Sequence, residues 1–217
     1  MGSPCDDVAF RSKRDALYNG YRLGDVVNGY VAPPGKAWEN QTKMWYICKT
    51  WPESLACTYR KATSKNRDTS TLSQLLPATR NSNTTVLHLR LGDGVGGPGC
   101  WEITCHGPHG NGALKETYTY SRQHYVKILH RLPRRPITVV GNPYHGNTHD
   151  VAASLVYLKL VVCFLRSHNF TVVYHGDGNT PDDDFATMAT ADVFVRGGGG
   201  YSNFAASVVR FRGHTVI

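Results

Sequence analysis

Long apolar runs are missing from this chain. No window approaches the ~18 apolar residues that a membrane-spanning helix needs. The longest apolar stretch, residues 151–165, is broken by Ser154 and Lys159, so no membrane span is expected. Charge is scarce too: charged residues make up 18% of the chain, below the ~25% of an ordinary soluble domain. With hydrophobic residues at 41%, that balance excludes intrinsic disorder, coiled coil and collagen. The first residues, Met-Gly-Ser-Pro-Cys-Asp-Asp, lack a basic segment followed by an apolar one. No secretory leader is therefore read, and the cytoplasm is the expected location. Cysteines number 6 and form no CxxC pair, too few for a disulfide scaffold of this size. Cys100 and Cys105 are spaced to bridge across residues 101–104, but without a leader reduced thiols are the expectation. On the same ground, the glycosylation-type triplets at Asn40, Asn83 and Asn169 read as chance matches.

What is present is a chain of 217 residues with 22 glycines, enough for one large domain with an addition. The net charge of +8 is spread along the chain: residues 1–80 carry 12 basic and 7 acidic side chains, residues 81–217 carry 12 and 9. No basic run exceeds two adjacent residues. A diffuse surplus suits small anionic ligands better than nucleic acid, which is not an expected partner.

The second half has the clearer pattern. Residues 86–91 alternate apolar and polar as a strand does, and a glycine-rich stretch follows. Tyr125, Ile128, Leu129 and Leu132 keep helical spacing up to Pro133. Residues 137–140 read as a short buried strand, 151–168 as a long buried helix and 170–174 as the next strand. Pro181 and three aspartates suit the first turn of a short helix. A strand over 192–195, a helix over 201–209 and a last strand over 214–217 complete the series. Strands alternating with helices predict an α/β fold: a mostly parallel, twisted, Rossmann-like sheet with helices on both faces. Residues 81–217 form that domain. Residues 1–80 are too short for a second one and read as an N-terminal lobe.

Three clusters carry chemistry. His88, Arg90, Gly92 and Asp93 sit at the carboxyl end of a strand, where open parallel sheets bind ligands. An arginine there can hold a diphosphate with both arms of its fork; equally, Arg90 could pair with a helix carboxylate and Gly92-Asp93-Gly94 could be an ordinary turn. Arg196, Gly197, Gly198, Gly199, Gly200, Tyr201, Ser202 and Asn203 join a strand to a helix whose free N–H groups attract anions. The bland alternative is a flexible connector. Neither glycine run is a GxxxxGK[ST] or a GxGxxG motif, which disfavours a phosphate loop and a dinucleotide fold. Asp182 and Asp184 form an Asp-x-Asp that would hold a divalent cation in a GT-A type transferase; a helix start explains them more simply. His106, His109, His145 and His149 read as loop histidines, and the Gly-x-Ser-x-Gly of a serine hydrolase is absent.

The run His88-Leu89-Arg90-Leu91-Gly92-Asp93 resembles the His-x-Arg-Arg-Gly-Asp motif of the α-1,2- and α-1,6-fucosyltransferase superfamily. The tail is similar as well, with an acidic helix start, Ala191-Asp192-Val193-Phe194-Val195, then Tyr201-Ser202-Asn203-Phe204-Ala205-Ala206. The resemblance covers about residues 84–217. It implies a GT-B-like sugar-nucleotide domain in a reduced form, as in algal or large-virus glycan pathways, with inverting transfer and no required metal or other cofactor. Arg90 matches the motif arginine that contacts the donor diphosphate, while Leu91 stands where the family has a second arginine. That departure opens the choice between a GDP-sugar and a UDP-sugar such as a xylosyl donor. The expected partners are a nucleotide sugar and a glycan acceptor. Asp93 is the expected base, with His88 or Asp25 behind it, and Arg90, Gly92, Arg196 and residues 198–203 would line the donor. A noncatalytic nucleotide-sugar-binding module is the alternative.

Overall fold

The computed structural model describes residues 83–95, 98–106, 117–143, 148–175 and 181–217. The N-terminal lobe expected over residues 1–80, and with it Asp25, lies outside them.

Five short strands form one sheet: β1 (Thr85–His88), β4 (Ile137–Val140), β5 (Val172–His175), β6 (Val193–Val195) and β7 (Thr215–Val216). Their spatial order is β5-β4-β1-β6-β7, and every neighbouring pair is parallel. From β1 in the centre the described chain steps to one edge, then crosses back to the other. β2 (Cys105–His106) and β3 (Thr117–Thr119) make a separate antiparallel pair that the sequence pattern does not announce.

Four helices connect the strands: α1 (Arg122–Ile128), α2 (Thr148–Ser167), α3 (Pro181–Ala189) and α4 (Gly199–Phe211). Because strand side chains alternate between faces, neighbouring residues feed two separate cores. Leu87, Ile137, Val139 and Val195 pack with Leu158, Val161 and Leu165 of α2 and with Tyr125 and Ile128 of α1. Val86, Val140 and Phe194 pack with Phe185 and Met188 of α3 and with Ala205 and Val209 of α4. Crossovers of one hand that travel in opposite directions must cover opposite faces, and they do. The expected parallel α/β sheet with helices on both faces is therefore present, each strand within two or three residues of its predicted bounds.

The thiol expectation is overturned. Cys100 and Cys105 form a disulfide with Cα atoms 5.3 Å apart, Cys163 on α2 is disulfide-bonded as well, and no cysteine among the described residues is free. The first bridge ties the turn Pro98–Trp101 to β2. Trp101 then stacks on Tyr125 at 5.8 Å and meets Tyr157 and Phe164 edge-on. The Tyr157 hydroxyl donates to the Tyr120 carbonyl at 2.6 Å, which anchors the exit of β3. Among the described residues, no helix is long and apolar enough to cross a membrane.

Candidate anion site at the strand ends

The loops leaving β1 and β6 diverge, one toward β4 and the other toward β7. That divergence makes a switch point at the carboxyl ends of two adjacent parallel strands, where such sheets leave a crevice. Both glycine-containing clusters of the sequence are delivered there.

From β1 the chain runs through Leu89 to the half-buried Arg90, then dives again at Leu91, which is 2% exposed. Gly92 takes a left-handed φ of 67°. Its amide donates to the Ser154 hydroxyl at 2.7 Å, inside the protein. Ser154, the polar break in the long apolar stretch, thus fixes the loop that presents Arg90. Asp93 follows in the single turn Gly92–Gly94; its side chain lies outside the described part.

The Arg90 side chain is confined by bare backbone. A Cβ on Gly94 would come within 2.7 Å of its Cγ, and one on Gly199 would touch its Cδ at 3.7 Å. Its guanidinium carbon is 5.4 Å from the centre of the Tyr118 ring on β3. Tyr118 carries no sequence signal, because its role depends on how the β2–β3 pair folds over.

From β6 the chain reaches α4, whose N-cap Gly198 has no side-chain cap. The first N–H groups of a helix have no intrahelical acceptor, and here no side chain of the N-cap replaces one. Ser202, in the first turns of α4, is fully buried, and its hydroxyl has no hydrogen-bond partner among the described residues. A buried, unsatisfied hydroxyl beside a helix N-terminus suits a polar ligand. Arg196 is exposed and donates to the Asn203 amide oxygen at 3.0 Å, holding a second cation over the same end. Its field reaches His124, whose pKa is lowered by burial first and by Lys127 and Arg196 after it.

His88 ends β1, at the carboxyl end of the strand as its motif implies, but is buried there. It is 7% exposed, and burial, with Arg90 adding to it, lowers its pKa to about 3. The ring packs edge-on toward Tyr201 at 6.3 Å and presses on Gly197. A Cβ on Gly197 would run into the His88 carbonyl oxygen and come within 2.6 Å of its Nδ1. Three of the four glycines therefore differ in their work. Gly197 allows two strand exits to touch, and Gly199 supplies a φ of 85°. Gly198, with φ −78°, lies in a conformation open to any residue. Gly197→Ala is expected to destabilise the fold by about 1–3 kcal/mol, as overpacking does. Urea unfolding checks this, and an unchanged midpoint would mean that the exits separate easily.

Of the acidic triplet, Asp184 is 5% exposed in the first turns of α3, where the helix N-terminus favours a carboxylate. Among the described residues, no three His, Cys, Asp or Glu side chains converge on a cation site. His109 and His145 lie outside the described residues, as do the side chains of His106, His149 and Asp182. The chain matches no protein-family profile, no curated protein and no solved structure; the site stands on its own geometry.

Proposed function

We propose that the chain is a fucosyltransferase-like glycosyltransferase of the GT-B type that moves a sugar from a GDP- or UDP-sugar to a glycan hydroxyl. One observation carries the reading: Arg90 and the uncapped start of α4, with the buried Ser202 hydroxyl, meet at the switch point of a parallel sheet. Fixed donors aimed at one place stabilise the charge that grows on a leaving diphosphate. The acceptor oxygen gives its proton to a base, for which Asp93 is the candidate, and attacks C1 from the opposite side. The C1–O bond to the diphosphate breaks, the nucleotide leaves with the electron pair, and the configuration inverts. The cationic groups Arg90 and Arg196 replace a metal in this scheme.

Leu91 bears on the donor. It is buried in the core beside Leu89 and Val95, so this position does not furnish the family's second arginine. That supports a donor other than GDP-fucose.

The test is a thermal-shift panel of GDP- and UDP-sugars on the full chain, with turnover measured in EDTA. A ligand that binds only the native state raises Tm, by about 2.7 kcal/mol of stabilisation at a hundredfold excess over Kd. One nucleotide sugar is expected to do so, and activity is expected to survive chelation. Gly198→Ala should weaken that ligand while leaving the free protein's Tm nearly unchanged. Gly199→Ala is the poorer probe because alanine is strained at its positive φ. No shift with any nucleotide sugar overturns the reading. Binding without turnover, even to water, identifies a noncatalytic module, and activity lost to EDTA and restored by manganese moves the chemistry to Asp182 and Asp184.

A further inference from the structure

We propose that Asn169 carries an N-linked oligosaccharide, acquired in an oxidising secretory compartment. Every described cysteine is in a disulfide: Cys100 with Cys105, and Cys163. Such bonds form and persist where thiols are not kept reduced by glutathione and thioredoxin. That weighs against the cytoplasmic expectation and changes the meaning of the three Asn-x-Thr triplets, which are acceptor signals in that compartment.

The three triplets are not equivalent. Asn40 lies outside the described residues. At Asn83 the triplet is woven into the fold: its amide oxygen accepts from Arg135 Nη1, and Thr85, fully buried, accepts from Arg135 Nε at 2.9 Å. At Asn169-Phe170-Thr171 both functional residues are exposed. Only Phe170 between them turns inward, 5% exposed in the core. Asn169 has a φ of 64° at the end of α2, in a turn closed by its own amide to the Arg166 carbonyl and by the Phe170 amide to the Leu165 carbonyl. Asparagine takes this left-handed helix exit more readily than other side chains except glycine. The folded chain thus holds the amide outward on a turn that a bulky group does not disturb.

Placement favours the same conclusion. Asn169 stands at the amino end of β5, an edge strand of the sheet, whereas the anion site lies at the carboxyl ends of β1 and β6. An oligosaccharide there stands clear of a ligand in the crevice, so the modification is independent of the function proposed above. In the transfer, Asn169 Nδ2 bonds to C1 of an oligosaccharide carried on a lipid diphosphate. The C1–O bond breaks, the lipid diphosphate departs with the electron pair, and the amide gives up one proton.

The experiment directs the full chain behind a secretory leader in eukaryotic cells and maps its peptides. Digestion with peptide-N-glycosidase in heavy-oxygen water marks each formerly glycosylated asparagine as labelled aspartate. The label is expected at position 169, in secreted and retained protein alike, because transfer precedes export. Thr171→Ala keeps Asn169 in its left-handed turn and should abolish the label, while Thr171→Ser should retain it. Thiol alkylation before and after reduction reads the disulfides in the same sample. An unlabelled Asn169 overturns the proposal, as does alkylation of Cys100 and Cys105 without prior reduction.

Discussion

Arg90→Ala is expected to lower turnover in the proposed sugar transfer by roughly 30- to 1,000-fold, the equivalent of about 2–4 kcal/mol for one charged donor removed from a preorganised site. Arg90 is held from three sides, by the backbone of Gly94 and Gly199 and by Tyr118, and its loop is tied to α2 through Ser154. A donor fixed in this way needs no reorganisation when charge develops on the leaving group. The same packing raises a competing explanation, since truncation also removes a stem that fills space between two glycines. Arg90→Met separates the two by keeping the stem and removing the charge. If the guanidinium acts on the diphosphate, Met and Ala are equally slow, and Lys recovers part, because a point charge replaces the field but not the fork. Recovery by Met would make Arg90 a packing residue and leave Arg196 as the remaining cation at the α4 end.

Why Arg90 was legible in the sequence while its neighbours were not is a matter of range. The strands and helices after residue 84 declare themselves locally: apolar runs such as residues 137–140, helical spacing up to Pro133, and Pro181 opening α3. The parallel sheet then follows from alternation, and the placement of both glycine clusters at strand exits follows from the sheet. Contacts between segments distant in the chain have no such local sign. Ser154 stood out only as a flaw in an apolar helix, although a buried hydroxyl on a core face implies a partner. Tyr118 reaches the site because a disulfide and the Trp101 cluster seat a two-stranded pair of two and three residues, too short to show a period. The Cys100–Cys105 disulfide has a permissive spacing in the sequence, but spacing alone does not tell a bridge from two thiols. In the sequence the glycine run looks like one device, whereas its members answer to His88, to backbone φ and to the helix end separately.

Stability should fall as pH drops below about 6.5, and His88 should account for a distinct part of that fall. In the unfolded chain His88 titrates near its ordinary 6.5, whereas in the fold its pKa is about 3, through burial and then the nearby Arg90. Between those values the unfolded state binds a proton that the folded state refuses, so stability rises with pH across the interval. The stabilisation is complete above 6.5 and is lost toward acid by about 1.4 kcal/mol per pH unit for this one group. His124, also lowered, acts in the same direction, so the wild-type curve alone does not isolate His88. His88→Leu does. Leucine has similar bulk and no proton to gain, and the Nδ1 atom it removes has no hydrogen-bond partner among the described residues. Near pH 7 the variant is expected to be about as stable as the wild type. Toward pH 4.5 it should become the more stable of the two, by an amount that grows with each unit of acid. Urea midpoints of both proteins across that range check the divergence, and parallel curves would show that the imidazole titrates as an exposed group. The same burial that lowers its pKa sets the His88 ring against Gly197, where the β1 and β6 exits meet.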